Sequence, residues 1–379
     1  MISSQGIRTR RDSLAFALAF PYDDVDNNVP PNEGPYAQCF LKMGMIMDNE
    51  IHGDPFLVRG AKNEGALVWI SAWPDDNTDL IAGEFQRRHP FVRVHTLPHP
   101  GKNCSAYAFP KLEQEWSTGR YEVDVVGPTT ATTVADYADR GFLASHNSAT
   151  GAQLPPVFRD PNGRWYATHS MGICLAYNKD IVPASRWPKT WNDLLDPYWS
   201  GKILMEDGRY SGTIYEWFVG VYRSVGEDWF RQLARQQLSW FRDGAVQHGS
   251  QELAAGRCAV VPWQVDYLVQ QRIDRGEPLA WANPTRIGRI PAFAISARAP
   301  HPNAARLFID WLLSEDCQRI IGEKNLGMPA LPGVPSYMKQ FYPPGTTLTI
   351  NNPSDLMRQK GRWRQLFTEI FFPESGGSV

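Results

Sequence analysis

Three short stretches carry hydroxyl, glycine and aromatic residues that suit the binding of a small polar ligand. They are Ser71-Ala72-Trp73, Gly127-Pro128-Thr129-Thr130 and Ser211-Gly212-Thr213, and each comes shortly after a run of apolar residues. A predicted helix follows each stretch, and the first backbone N–H groups of a helix have no partner within it. The hydroxyl groups can cap that helix, bind a ligand, or do both. Arg209 is a candidate source of positive charge for an anionic ligand.

The sequence contains none of the familiar catalytic motifs. We find no G-x-S-x-G elbow, no H-E-x-x-H, no P-loop and no G-x-G-x-x-G. Histidine lies beside serine at His169-Ser170 and at His248-Gly249-Ser250, but neighbours in sequence do not define a catalytic triad. We therefore predict no catalytic residues, and a binding protein is favoured over an enzyme.

The cysteines and histidines do not indicate a metal centre. Five cysteines are spread along the chain without a C-x-x-C pair, and an odd number gives no disulfide framework. The histidines between residues 52 and 99 straddle a loop and a predicted strand, and we interpret them as structural or exposed. We accordingly predict no metal site and no cofactor.

Charge and hydropathy limit the classes of partner. The 379 residues have a net charge of -2, so we expect no nucleic-acid partner. No apolar run reaches the roughly eighteen residues of a membrane-spanning helix. Arg8, Arg10 and Arg11 precede the apolar run 14–20, as in an export signal, but Pro21 follows at once and no A-x-A cleavage site is present. These features alone leave export open.

Strands and helices alternate from residue 64 onward. Apolar runs predict strands at Ala66–Ser71, Phe91–His95 and Val123–Val126, with a helix from Thr78 that stops before Pro90. This order is typical of an α/β lobe with a largely parallel sheet. A second set of elements follows, at Gly172–Tyr177, Gly201–Glu206, Ile214–Val225, Trp229–Gln237, Cys258–Val261, Ile290–Ile295 and a helix after Pro302.

Six stretches resemble, in the same order, the periplasmic solute-binding proteins of ABC importers. They most resemble the branch that includes ferric-iron, thiamine and phosphonate binders. The stretches are Glu64–Ser71 (EGALVWIS), Phe85–Pro90 (FQRRHP), Gly119–Val126 (GRYEVDVV), Ala176–Lys179 (AYNK), Trp191–Lys202 (WNDLLDPYWSGK) and Ala299–Ser314 (APHPNAARLFIDWLLS). As an ordered set they cover residues 64 to about 330.

The resemblance implies an α/β fold of two lobes, the type II periplasmic-binding-protein fold, with a ligand cleft between them. We assign residues 1–63 to a poorly ordered N-terminal arm with a possible export signal. Lobe 1 is predicted at 64–165 plus 286–335, and lobe 2 at 166–285 plus 336–379. The family also implies a periplasmic monomer that delivers its solute to an ABC permease in the inner membrane.

The family's ligand contacts come from the three stretches above and from the segment after Cys258–Val261. On that basis we add three predicted ligand-binding residues, Trp263, Asp266 and Tyr267, to Ser71, Trp73, Thr129, Thr130, Arg209, Ser211, Gly212 and Thr213. Ferric-ion binders carry a Tyr-Tyr pair in that segment, where this chain has only Tyr267, and a histidine in the first loop, where it has Ser71-Ala72-Trp73. The expected ligand is therefore a small polar or anionic organic solute, with ferric iron as the alternative.

Two other functions remain open from the sequence. An enzyme on a similar scaffold would need a general base, for which Asp266 and His248 are the candidates. A scavenging or sensory binder would share the same fold and the same cleft.

Overall fold

The structure is a computed structural model that describes residues 54–97, 104–209, 212–241 and 246–373. Its first half contains helices α1 Pro55–Glu64, α2 Asp75–Arg88, α3 Cys104–Thr118 and α4 Ala131–Asp139. The strands of that half are β1 Ala66–Ile70, β2 Arg93–Thr96, β3 Val125–Thr130, β4 Tyr166–Ala167 and β5 His169–Asn178.

The second half continues the alternation. Its strands are β6 Leu204–Glu206, β7 Ser239–Phe241, β8 Val260–Val265, β9 Leu279–Ala282, β10 Ile287–Arg289, β11 Pro291–Ile295, β12 Met328–Pro329 and β13 Thr349–Ile350. Its helices are α5 Gly212–Val225, α6 Glu227–Leu233, α7 Val246–Ala254, α8 Asp266–Asp274, α9 Pro302–Leu313, α10 Glu315–Glu323 and α11 Pro353–Phe371. Short 3-10 helices lie at Gly151–Gln153, Pro156–Phe158, Ala184–Arg186, Trp191–Leu195, Pro197–Trp199 and Tyr337–Phe341.

Lobe 1 is built on a five-stranded sheet with the order β2–β1–β3–β11–β4. Strand β1 runs parallel to β2 and β3, whereas β11 runs antiparallel to β3 and β4. Strand β1 is a continuous apolar run because both faces of a central parallel strand are covered, whereas β3 is apolar only at Val125 and Val126 before it continues as Gly-Pro-Thr-Thr. Trp69 of β1 is fully buried and its ring lies 5.1 Å from that of Phe308 on α9. Burial of such a side chain contributes about 1.5–3 kcal/mol to stability.

Lobe 2 is organised around β5, all of whose residues are buried. Strands β8, β9, β10 and β12 each pair with it in the antiparallel sense. The parallel pair β6–β7 forms a separate small sheet. An aromatic core fills the space between these strands and the helices, with Trp191, Trp217, Phe218, Phe230 and Trp263 among its buried members.

Within the described residues the chain passes between the two sheets three times, from β4 to β5, from β10 to β11 and from β11 to β12. Thr168 alone separates β4 of the first sheet from β5 of the second, and Ile290 alone separates β10 from β11. The first two passages lie a few residues after the predicted boundaries 165/166 and 285/286, and the third lies between residues 295 and 328, before the predicted boundary 335/336. The exact bounds of the lobes stay a prediction. The predicted α/β class with two lobes is confirmed.

Residues 55–63, which were predicted to belong to a poorly ordered arm, are helical in the structure. They belong to α1, in which Asp54 caps the first turn, Pro55 occupies the first helical position and Gly65 ends the helix with a φ of 70°. The start and stop signals of this helix are present in the sequence, but the high content of Asn, Asp, Pro and Gly in the residues before it led to the prediction of an arm without regular structure. The remaining part of the predicted arm, residues 1–53, lies outside the described residues.

The C-terminal helix α11 contacts both lobes. It packs against α4 of lobe 1 and against α5 and α6 of lobe 2, which places it across the junction rather than within lobe 2 alone. Its buried face carries Leu356, Trp363, Phe367 and Ile370. None of the described helices has both the length and the apolar character required to cross a membrane.

Glu64 joins α1 to lobe 1 through the start of α9. Its carboxylate accepts hydrogen bonds from the backbone N–H groups of Asn303 and Ala304, at 3.1 and 2.8 Å, and from the Asn303 side chain at 2.6 Å. We expect Glu64→Ala to lower the free energy of unfolding by about 2 kcal/mol, because donors at a helix start lose a charged acceptor. Glu64→Gln keeps one oxygen acceptor and should lose less. Urea denaturation measures both, and equal stability of Glu64→Ala and wild type would contradict this role.

Candidate ligand-binding site

The loop after β1 forms one wall of the junction between the lobes. The Ser71 hydroxyl oxygen accepts hydrogen bonds from the Trp73 backbone N–H at 3.2 Å and from the Thr78 hydroxyl at 2.8 Å. These bonds fix the loop and hold the Trp73 ring inward, where it is buried. Trp73 stacks on His169 of β5 with ring centroids 5.6 Å apart and planes inclined by 19°. The stack therefore joins the loop after β1 in lobe 1 to the first residue of β5.

Arg289 at the end of β10 connects both lobes. Its Nε donates to a Glu216 carboxylate oxygen of α5 at 2.5 Å, and its Nη2 donates to the Thr130 hydroxyl oxygen of lobe 1 at 3.1 Å. The Thr132 hydroxyl donates to the second oxygen of Glu216 at 3.5 Å. Arg289 and Glu216 are buried, with 9% and 5% of their surfaces exposed. Arg289, Glu216, Thr130 and Thr132 therefore form one hydrogen-bonded group. It links β10 to lobe 1 and to α5 of lobe 2.

Burial dominates the electrostatics of this group. Removal from water raises the pKa of the Glu216 carboxyl above its usual range, although the charge and hydrogen bond of Arg289 partly oppose the shift. A buried ion pair is costly to break from one side, because the remaining charge has no compensation. The Arg289–Glu216 ion pair is therefore stable only while α5 and β10 remain in contact.

His169, the first residue of β5, is another buried titratable side chain near the point where the chain passes between the sheets. It is fully buried, and the combination of burial and the nearby charge of Arg289 lowers the pKa of its imidazole to about 3. Its Nδ1 forms a hydrogen bond with the Thr168 hydroxyl at 2.8 Å. Its buried Nε2 has no hydrogen-bond partner among the described residues. The imidazole is thus neutral at physiological pH and has one unused polar atom.

Two helix starts from different lobes meet beside Thr130. Thr130 immediately precedes α4, and its side chain does not cap that helix. Gly212 begins α5 so close to Thr130 that a Cβ atom on it would lie 2.7 Å from the Thr130 hydroxyl oxygen. Thr213 is buried in the first turn of α5. The N-terminal ends of α4 and α5 therefore lie close together, and the dipoles of two helix starts favour negative charge in this region.

The structure thus brings together most of the residues predicted in the first three stretches. Thr130 and Gly212 are in contact, and Thr129 and Thr213 are buried next to them in the chain. Trp73 reaches the same junction through His169, which the Arg289 charge also influences. Ser71 supports the Trp73 loop, and Ser211 lies outside the described residues.

The other predicted residues lie elsewhere in lobe 2. Arg209 pairs with Asp207 at 2.6 Å and lies 4.1 Å over the Phe372 ring. Trp263 is fully buried in the lobe 2 core, where its indole N–H donates to the Leu204 carbonyl at 3.1 Å. Neither side chain is brought to the group formed around Arg289.

Asp266 and Tyr267 begin α8 in lobe 2. Asp266 already has hydrogen-bond partners, and Tyr267 has apolar surroundings. The Asp266 carboxylate accepts hydrogen bonds from the Tyr267 backbone N–H and from the Tyr342 hydroxyl, both at 2.7 Å. Burial raises the pKa of this carboxyl to about 6. Tyr267 belongs to a buried apolar cluster that includes Met171. Asp266 therefore holds the C-terminal segment against lobe 2.

The sequence analysis did not predict a ligand-binding role for Arg289, Glu216 or His169. A signal existed for the first two, since Arg289 is the only charge in the buried run 287–295 and Glu216 interrupts the apolar run 214–221. A buried charge needs a partner, so two such interruptions indicate a pair. His169 was considered only as the neighbour of a serine.

Comparison with known proteins identifies the family. Residues 124–352 match the family described as bacterial extracellular solute-binding protein, and the chain belongs to it. A relative from Haemophilus influenzae of uncharacterized function is 26% identical over 301 residues, which cover 74% of this chain and 82% of the relative. The iron uptake protein A2 of Synechocystis is 28% identical over 214 residues, or 51% of this chain and 60% of that protein.

Solved structures agree on the fold. The periplasmic binding protein AfuA of Actinobacillus pleuropneumoniae, with fructose-6-phosphate bound, superposes with a TM-score of 0.68 at 20% identity. The match covers 81% of this chain and 98% of AfuA. The predictions of a solute-binding protein and of the two-lobe type II fold are confirmed.

The buried neutral state of His169 makes a prediction about pH. Its folded pKa of about 3 lies below the ordinary 6.5, so the unfolded chain takes up a proton first as the pH falls. The stability associated with neutral His169 is present above pH 6.5 and is lost progressively toward pH 3. At about pH 5 the loss should reach about 2 kcal/mol.

We expect His169→Gln to remove this part of the acid sensitivity. The difference in unfolding free energy between wild type and variant should shift by about 2 kcal/mol in favour of the variant between neutral pH and about pH 5. His95→Gln, at an exposed histidine, serves as the control and should leave the pH profile unchanged. Parallel profiles for wild type and His169→Gln would show that His169 is not held neutral.

Proposed function

We propose that this protein captures a small polar or anionic organic solute between its lobes and delivers it to an ABC permease in the inner membrane. The observation that carries the proposal is the buried group in which Arg289 joins Thr130 of lobe 1 to Glu216 of lobe 2. A solute bound at this group would contact both lobes, so it would favour the closed arrangement over the open one. We propose further that the protein acts as a monomer in the periplasm.

Binding without turnover fits the chemistry of the candidate bases. The Asp266 carboxylate is engaged by the Tyr342 hydroxyl and by backbone N–H groups. His248 lies 3.8 Å from Glu252 and packs against the Phe241 ring. General-base catalysis of acyl transfer would require a serine or cysteine nucleophile beside the base, whereas these contacts of Asp266 and His248 are with other groups.

Solution scattering combined with thermal unfolding tests the proposed capture. A broad panel of small solutes should contain at least one that raises the melting temperature and lowers the radius of gyration. Native mass spectrometry of freshly purified protein would identify a solute that co-purifies. Stabilisation without compaction would contradict capture between the lobes, and so would the absence of any response across the panel.

Ferric iron is the second candidate because a relative is named an iron uptake protein. Ferric iron prefers anionic oxygen ligands such as phenolate and carboxylate. Tyr267 is buried, and burial raises the pKa of its phenol, which opposes its use as a phenolate. Among the described residues, no three His, Cys, Asp or Glu side chains are arranged to hold a metal ion. Titration with ferric citrate decides between the two, since a phenolate–iron band in the visible spectrum would support iron.

Closure makes a further prediction at Gly212. A methyl group there would lie 2.7 Å from the Thr130 hydroxyl oxygen and would force the two lobes apart. We expect Gly212→Ala to weaken the binding of any solute that compacts the wild type by about tenfold to a hundredfold, since overpacking costs about 1–3 kcal/mol.

The matched control is Gly83→Ala on α2. A Cβ atom at Gly83 meets no neighbouring atom within 4 Å, so this exchange should slightly stabilise the helix and leave affinity unchanged. Isothermal titration measures both variants. Equal affinity of Gly212→Ala and wild type would mean that binding does not require contact between Thr130 and α5.

A further inference from the structure

We propose that Arg289 is the anchor for an anionic group of the solute, and that Glu216 occupies this position only until the solute arrives. A carboxylate or phosphate group would replace the Glu216 carboxylate on the guanidinium. This inference rests on the proposed function, because it assigns a chemical class to the solute captured between the lobes. It also transfers the role predicted for Arg209 to a different residue.

The guanidinium of Arg289 has N–H donors that can form further hydrogen bonds. Nε donates to Glu216 and Nη2 to Thr130, whereas the one contact of Nη1 among the described residues is with the thioether sulfur of Met171 at 4.0 Å. A thioether is a weak acceptor, so the Nη1 protons lack an oxygen partner in a buried place. A planar guanidinium matches carboxylate and phosphate oxygens in pairs, which makes an anion the best complement.

His169 adds a donor on the same side. Arg289 pairs with Met171 across β10 and β5, and His169 lies two residues before Met171 in β5. Residues two apart in a strand share a face, so His169 and Met171 lie on the same side of β5 as the Arg289 contact. If the Thr168 hydroxyl donates to Nδ1, the imidazole proton is on Nε2, which has no partner among the described residues. A neutral, buried N–H group is suited to an anion and costs no charge to bury.

The surrounding dipoles favour the same sign of charge. The starts of α4 and α5 meet at Thr130 and Gly212, and helix N-termini stabilise negative charge. A cation would have to bind beside the fixed positive charge of Arg289 in a water-poor place, which is unfavourable. Glu216, once displaced, keeps the Thr132 hydroxyl and can become neutral, because its burial already favours the protonated form. The geometry therefore selects an anion over a cation.

Glu216→Gln provides the central test, with inorganic phosphate as the probe. Removing the carboxylate charge frees Arg289, so phosphate should bind this variant about tenfold more tightly than wild type. Differential scanning fluorimetry and isothermal titration measure the effect, with chloride at equal ionic strength as the reference. The double variant Glu216→Gln/Arg289→Met should lose the response to phosphate. Arg289→Lys keeps a charge without the planar fork and should retain only part of it.

Several outcomes would overturn the inference. Phosphate that stabilises the double variant as much as Glu216→Gln would place the anion elsewhere. Spermidine that binds Arg289→Met more tightly than wild type would indicate a cationic solute. If Glu216→Gln fails to fold, as near-ultraviolet circular dichroism would show, the comparison of wild type with Arg289→Lys and Arg289→Met decides, and equal phosphate binding by all three overturns it.

The same experiments separate this inference from the proposed function. If a neutral solute compacts wild type and Arg289→Met equally, the protein captures solutes but Arg289 is not the anchor. If phosphate binds as expected but no solute compacts the protein, the anion site stands and capture by closure fails.

Discussion

The buried charge of Arg289 is the constraint on which the junction of the two lobes depends. A guanidinium that is almost removed from water must find acceptors, and it finds them on Glu216 of lobe 2 and Thr130 of lobe 1. Because Arg289 ends one of the strands that pass between the sheets, its position is set by the backbone of the crossing itself. The acceptors, in contrast, belong to helices that each lobe carries separately. Any relative motion of the lobes must therefore rearrange these hydrogen bonds, and a solute that supplies better acceptors can influence that motion.

The two lobes themselves are held by apolar packing that does not depend on the junction. Trp69, Phe85 and Phe308 fill the core of lobe 1, and a larger set of aromatic rings fills lobe 2. The junction has a different character, with hydroxyl groups, helix starts and one ion pair. Apolar cores resist deformation because they are close-packed, whereas polar contacts can be exchanged for other polar contacts at little net cost. The structure thus places exchangeable polar contacts between two close-packed apolar cores.

Some polar residues near the junction have structural tasks. The Asp266 carboxylate accepts a hydrogen bond from the Tyr342 hydroxyl. Gly172 of β5 lies beside this bond, and a Cβ atom on Gly172 would be 2.6 Å from the Asp266 carboxylate. Arg209 is held by Asp207 and by the Phe372 ring at the end of α11. Asp266 was predicted to bind a ligand from the family resemblance, and Arg209 because it lies close in sequence to Ser211-Gly212-Thr213 and carries a positive charge. Their side chains instead fasten the C-terminal segment and α11 to lobe 2, leaving the polar contacts at the junction to residues of the crossings and helix starts.

The sequence by itself determined the class of fold and the family, because apolar runs, helix starts and ordered motifs are local properties. It also led to the prediction that the loops containing Trp73, Thr130 and Gly212 hold a ligand, which stays a prediction. It did not determine which charged residues meet, because Glu216 and Arg289 are 73 residues apart and their pairing depends on how α5 packs beside β10. It also missed α1, a ten-residue helix that packs on α9, because a helix of this length depends on tertiary packing for much of its stability. Tertiary structure alone decided these points, since the cost of burying a charge is set by its surroundings in space rather than by its neighbours in the chain.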